Sequence, residues 1–140
     1  MANQTNTMPN NRDAEMALLG CLLIDAEIAA DVVDSLPEAD FYQESHKYSL
    51  RAMTRVYNDR KPGDLVTVTD ELEKEGSIEK AGGIAYITEL TQITPSAANY
   101  KSYQEIVSRD SVNRKLIRAS RKIIETAMKG TDDRESLAYA

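Results

Sequence analysis

The chain has 140 residues, 41% apolar and 29% charged, which suits one domain with a buried core. A formal net charge of −6 excludes a surface that grips nucleic acid all round and leaves only a local face open to it. Cys21 is the single cysteine, which excludes an intrachain disulfide or a thiolate zinc cluster and fits a reducing cytoplasm, and no apolar run approaches the ~20 residues that span a bilayer. Residues 1–10 are polar, lack a signal-peptide core and read as a flexible tail.

Ala14, Ala17, Leu18, Cys21 and Leu22 have the spacing of one helix face, with Asn10 or Asn11 to cap the start. Met16, Leu19 and Leu23 lie on the other side, so this helix should be largely buried, and Gly20 permits close approach of a neighbour. Asp25 caps a second helix carrying Ile28, Ala29, Val32, Val33 and Leu36, which Pro37 ends. Ser45 is the expected cap of a third, with His46, Leu50, Met53 and Tyr57 on one face.

After the turn at 61–64, the β-branched run 65–68 is compatible with a strand. Thr67 and Asp70 have the spacing of a capping box, which favours a loop leading into a helix with Leu72 inward and Gly76 as its C-cap. Gly82-Gly83 precede a short helix that aligns Tyr86, Leu90 and Ile93. Pro95 then opens the longest element, roughly 50 Å if continuous to the glycine at 130. Tyr100, Tyr103, Ile106 and Val107 should pack on the head, and Ser108 to Lys115 offer only Val112. Leu116, Ile117, Ala119, Ser120, Ile123, Ile124, Ala127 and Met128 form a second, broad apolar face that projects beyond it. A turn at 130–133 and residues 134–140 read as a return helix cut short. The fold expected is therefore all-α: a tail (1–10), a compact helical head (11–96), and a long helix that begins a hairpin with its return arm truncated (97–140).

No catalytic constellation stands out. There is no Gly-x-x-x-x-Gly-Lys-[Ser/Thr] loop to cradle phosphates, and Gly82-Gly83 lack the accompanying Lys and hydroxyl. His46 shares a stripe with Leu50 and Met53 and reads as a hydrogen-bonded core residue, with Glu44 as the sole neighbouring metal-ligand type. Cys21 reads as a small buried hydrophobe, and Asp13 and Glu15 as ordinary first-turn carboxylates. No metal or other cofactor is expected to bind. Arg109, Arg114, Lys115, Arg118, Arg121 and Lys122 concentrate positive charge on the long helix. A solvated face, contact with an acidic partner and direct DNA binding are all open readings of that cluster, the last without an aromatic stacking platform.

The order of segments resembles the N-terminal domain of the DnaB-type replicative helicases. The resemblance rests on Asp13-Ala14-Glu15-Met16-Ala17-Leu18-Leu19-Gly20, on Asp40-Phe41-Tyr42 with His46, and on Asp64-Leu65-Val66-Thr67-Val68. It continues through Gly82-Gly83-Ile84-Ala85-Tyr86-Ile87, Pro95-Ser96-Ala97-Ala98-Asn99, Tyr103-Gln104-Glu105-Ile106-Val107 and Arg114-Lys115-Leu116-Ile117. Each motif is weak alone; together, in the family's order, they cover nearly the whole chain. Asp13 departs from the family's usual opening glutamate, and Lys122 stands where many members are uncharged.

The resemblance implies a non-catalytic collar domain whose hairpins pair on a hexameric ring and which binds the C-terminal region of primase. A helicase loader is a further possible partner. It also implies a separate motor that binds ATP and Mg and acts as a 5′–3′ helicase on single-stranded DNA. The positions matching the family's primase contacts are Asp13, Tyr86, Ile117 and Ile123. Tyr86 has a second reading as head filler beside Leu90 and Ile93, and Ile117 and Ile123 as residues buried in the hairpin or a dimer. Self-association is expected through Leu116, Ile117, Ser120, Ile124 and Ala127. The alternative function is a helical adaptor domain of a phage or plasmid replication protein without a motor.

Overall fold

The computed structural model describes residues 7–130. Six α-helices follow one another, with no strand among the described residues: α1 (Arg12–Ile24), α2 (Ala29–Ser35), α3 (Glu44–Asn58), α4 (Leu65–Glu75), α5 (Ile84–Gln92) and α6 (Tyr100–Met128). Short 3-10 turns at Ala26–Ile28 and Glu38–Asp40 lead out of α1 and towards α3. The return arm expected at 134–140 lies outside the described residues.

α1 is the central element. The Asn11 side chain accepts the Ala14 N–H at 2.9 Å and caps it. Ala14, Met16, Leu18, Leu19, Cys21, Leu22 and Leu23 are all buried, against α3, α5 and α6. Gly20 is required by contact: a Cβ there would meet Thr94 Oγ1 at 2.0 Å and the Leu90 carbonyl at 2.4 Å. The Cys21 thiol is buried and faces the Ser96 carbonyl, and burial pushes its pKa up, as suits an inert core residue. Leu36, Phe41, Leu50, Leu72, Ile87 and Leu90 complete the same core.

Four helix starts differ from the sequence expectation. Asp25 caps the 3-10 turn at Ala26–Ile28, accepting the Glu27 N–H at 3.0 Å, and α2 itself starts at Ala29 without a side-chain cap. Residues 65–68 are helical, but α4 begins at Leu65 under Asp64, whose side chain accepts the Thr67 N–H at 3.0 Å, so Thr67 and Asp70 are not its capping pair. Gly76 ends α4 in the left-handed region, φ +71°, as expected. α3 begins at Glu44, one residue before Ser45, and has no side-chain cap; the N–H groups of Tyr42 and of the N-cap residue Gln43, just ahead of it, are taken by Glu15, described below. The long helix starts at Tyr100 and not at Pro95. Thr94 is buried under Gly20 and the Ser96 carbonyl faces Cys21, so this stretch is committed to α1 and a helix can form only after the turn at 97–99.

α6 has 29 residues, about 43 Å at ~1.5 Å per residue. Its root is tied to α2 by Tyr100 Oη donating to Asp31 (2.6 Å) and Gln104 Nε2 donating to Ser35 Oγ (2.6 Å). Val107 packs into the core, and Tyr103 and Ile106 lie against it. Over 108–115 the expectation of Val112 as the one inward residue is reversed. Val112 is exposed, whereas Asp110, Ser111 and Arg114 are buried, so this part of the helix is held to the head by polar bonds.

Candidate partner-binding site

Two features set side chains at the surface in ways that packing alone does not require. The first is a buried polar chain running from α1 through α3 to α5. Glu15 is 2% exposed, so it is not the ordinary first-turn carboxylate expected. It lies at the spacing of Leu18, Leu19 and Leu22 on the core stripe of α1. Its carboxylate accepts the N–H groups of Tyr42 (2.7 Å) and Gln43 (3.2 Å) and so fixes, from across the core, the backbone that leads into α3. Its Oε1 also stands 2.7 Å from His46 Nδ1, and His46 is fully buried, the hydrogen-bonded core histidine its stripe suggested.

The far nitrogen of His46, Nε2, is 2.7 Å from Tyr86 Oη, with the two rings nearly parallel at 9°. Tyr86 is half-buried and ends the chain at the surface, where Arg12 lies over its ring at 5.7 Å and Arg12 Nη2 donates to its hydroxyl at 3.4 Å. Burial raises the Tyr86 pKa, opposed by the Arg12 guanidinium and reinforced by Glu89 and Glu15, so the phenol keeps its proton. Gly82, φ +107°, completes the setting: a Cβ there would come within 2.6 Å of the Tyr86 ring.

The second feature is the exit of α6. Arg114 is 2% exposed and belongs to no solvated basic face. Its guanidinium donates to the backbone carbonyls of Asp40 (2.7 Å) and Pro9 (2.8 Å) and lies over the Tyr42 ring at 5.3 Å. Ser111 Oγ donates to Asp40 Oδ1 (2.8 Å), and Lys115 pairs with the same oxygen at 3.2 Å. Of the remaining basic residues, Arg109 pairs with Asp110 at 3.3 Å, and Arg118, Arg121 and Lys122 are exposed. Beyond this clamp Leu116, Ile123, Ile124 and Met128 are 60%, 43%, 60% and 83% exposed. Ile117 is half-buried, and Ser120 and Ala127 are exposed.

Among the expected site residues, Asp13 is exposed on the first turn of α1, next to the Arg12 that covers Tyr86, so these two positions share one corner of the head. Ile117 and Ile123 lie further along α6, beyond Arg114, where Ile117 is half-buried and Ile123 exposed. Glu15 and Arg114 are the structural residues that sequence reasoning misplaced. Among the described residues no group of three or more His, Cys, Asp or Glu side chains is placed to hold a metal ion, and no helix is long and apolar enough to cross a membrane.

A model of the DnaB-like helicase N-terminal domain matches residues 7–109. The chain belongs to that family. The replicative DNA helicase DnaB of Buchnera aphidicola is 37% identical over 118 residues, 84% of this chain and 26% of that protein. The chain thus spans about a quarter of the length of the curated relatives it matches. The crystal structure of the N-terminal domain of DnaB helicase from Mycobacterium tuberculosis has the same fold, with a TM-score of 0.88, 30% identity and 94% of each chain covered. A DnaB-like replicative helicase solved with its interactions with primase shares the fold at a TM-score of 0.79 and 23% identity, covering 92% of this chain and 30% of that one.

Proposed function

We propose that this domain is the non-catalytic collar of a replicative helicase, pairing through the outer half of α6 to help assemble a ring and docking the C-terminal region of primase. The observation that carries the reading is the exposed apolar stripe on α6. A helix is stable mainly because its apolar face is covered. Here Leu116, Ile123, Ile124 and Met128 face solvent beyond the clamp at 111–115, and exposed apolar patches of this kind mark interfaces. The family, and a relative of the same fold described with primase, support the choice of partner. In this reading the domain needs no cofactor. ATP, Mg and single-stranded DNA belong to the motor of a 5′–3′ helicase working in the cytoplasm, and a helicase loader is a further partner.

Titrating primase C-terminal domain into the isotopically labelled chain tests the docking half of this reading. Amide shifts are expected around Tyr86 and Asp13 and along α6 at Ile117 and Ile123. Shifts confined to residues 1–10, or none, would contradict it.

A further inference from the structure

We infer that His46, fixed by Glu15, is a positioning residue that turns the Tyr86 hydroxyl into an outward-facing acceptor at the docking corner. The inference rests on the primase-docking reading and says which hydrogen-bond chemistry that corner offers.

The polarity of the chain follows from its inner end. Glu15 accepts two backbone N–H groups, so its carboxylate acts as an acceptor and the third bond, to His46, must be donated by Nδ1–H. We assign the ring as neutral, which leaves Nε2 as an acceptor with the proton between it and Tyr86 coming from the phenol; an imidazolium would instead donate to the phenol oxygen. The Tyr86 proton therefore points into the head, and the oxygen presents its lone pairs outward. The long, 3.4 Å contact from Arg12 uses one of them weakly. Holding the Tyr42 and Gln43 N–H groups would require Glu15 alone. The added histidine carries the same buried order out to a single half-buried side chain, whose ring is also held by Gly82 beneath and Arg12 above.

The corner thus takes a partner group that donates to the phenol oxygen and accepts from Arg12. A carboxamide or a hydroxyl does both. A carboxylate would meet the phenol oxygen lone pair to lone pair, and an ammonium would meet the guanidinium.

The test combines nitrogen-15 spectra of His46 with a double-mutant cycle read as affinity for primase C-terminal domain. At neutral pH the wild type should show Nδ1 protonated and Nε2 bare, and Nε2 should shift in Tyr86→Phe, where its donor is lost. His46→Gln should weaken binding about fivefold and Tyr86→Phe about tenfold, the size of one hydrogen bond at an interface. The double variant should bind no more weakly than Tyr86→Phe alone, because His46 acts through Tyr86. A merely structural histidine would lower the melting temperature and leave this coupling absent. Losses that multiply, a reversed tautomer, a doubly protonated ring, or an Nε2 unmoved by Tyr86→Phe would overturn the inference while leaving primase docking intact. A wild type that binds no primase fragment would overturn the docking reading and this inference together. Should His46→Gln not fold, the spectra of wild type and Tyr86→Phe still decide.

Discussion

Glu15→Ala should destabilise the domain by about 3–5 kcal/mol, the range for removing one partner of a buried ion pair or charged hydrogen-bond group. Three donors lose their acceptor at once: the Tyr42 and Gln43 N–H groups at the start of α3 and His46 Nδ1. The acceptor and one of the donors are out of reach of water, since Glu15 and His46 are 2% and 0% exposed. The melting temperature should fall on the order of 10 °C. Asp13→Ala, two residues away but exposed, should stay within about 0.5 kcal/mol. A Glu15→Ala loss as small as that of Asp13→Ala in chemical denaturation would mean that water replaces the carboxylate and that the network is not closed.

Arg114→Met keeps the apolar stem and removes the guanidinium, and should be destabilising by about 3 kcal/mol. The carbonyls of Asp40 and Pro9 lose their donor, and the Tyr42 ring loses the cation above it. The loss should be uneven along the chain. Hydrogen exchange should speed up in the inner half of α6 and at Glu38–Asp40, while the α1–α5 contact keeps its protection. Arg118→Met, an exposed residue one turn further out, should change stability by less than about 0.5 kcal/mol. Equal effects of the two substitutions would contradict the clamp.

The difference between these pairs, Glu15 with Asp13 and Arg114 with Arg118, also shows where the sequence was legible. The helices themselves follow from apolar spacing, and Gly20, Gly76 and Gly82-Gly83 act where their positions suggested. A cap can be read from sequence when its partner lies three residues on, as Asn11 does with Ala14. The backbone leading into α3 is held by Glu15, 27 and 28 residues earlier, and local rules have no access to that contact. Its signal was a charged residue on the core stripe of α1, matched by a histidine on the core stripe of α3. Arg114 gave the same signal: it falls three residues after Ser111 and seven after Val107, on the inward face of α6. Counting it among neighbouring cations hid that position. Pro95 has a composition suited to a helix start, but the contact of Thr94 and Ser96 with α1 displaced the start to Tyr100.

Sedimentation equilibrium of the wild type beside Ile124→Asp tests most directly whether the outer half of α6 is an assembly face. Ile124 is 60% exposed and outside the clamp, so the substitution leaves the head intact. A few hundred Å² of apolar surface at roughly 25 cal/mol per Å², offset by the entropy of association, gives a dimer of about micromolar affinity. A two-fold pairing buries the same stripe on both copies, so one aspartate introduces two charges into the interface. The expected result is a reversible dimer for the wild type and a monomer for Ile124→Asp, with identical far-UV circular dichroism. A wild type that stays monomeric at high micromolar concentration, or an Ile124→Asp chain that dimerises equally well, would contradict it.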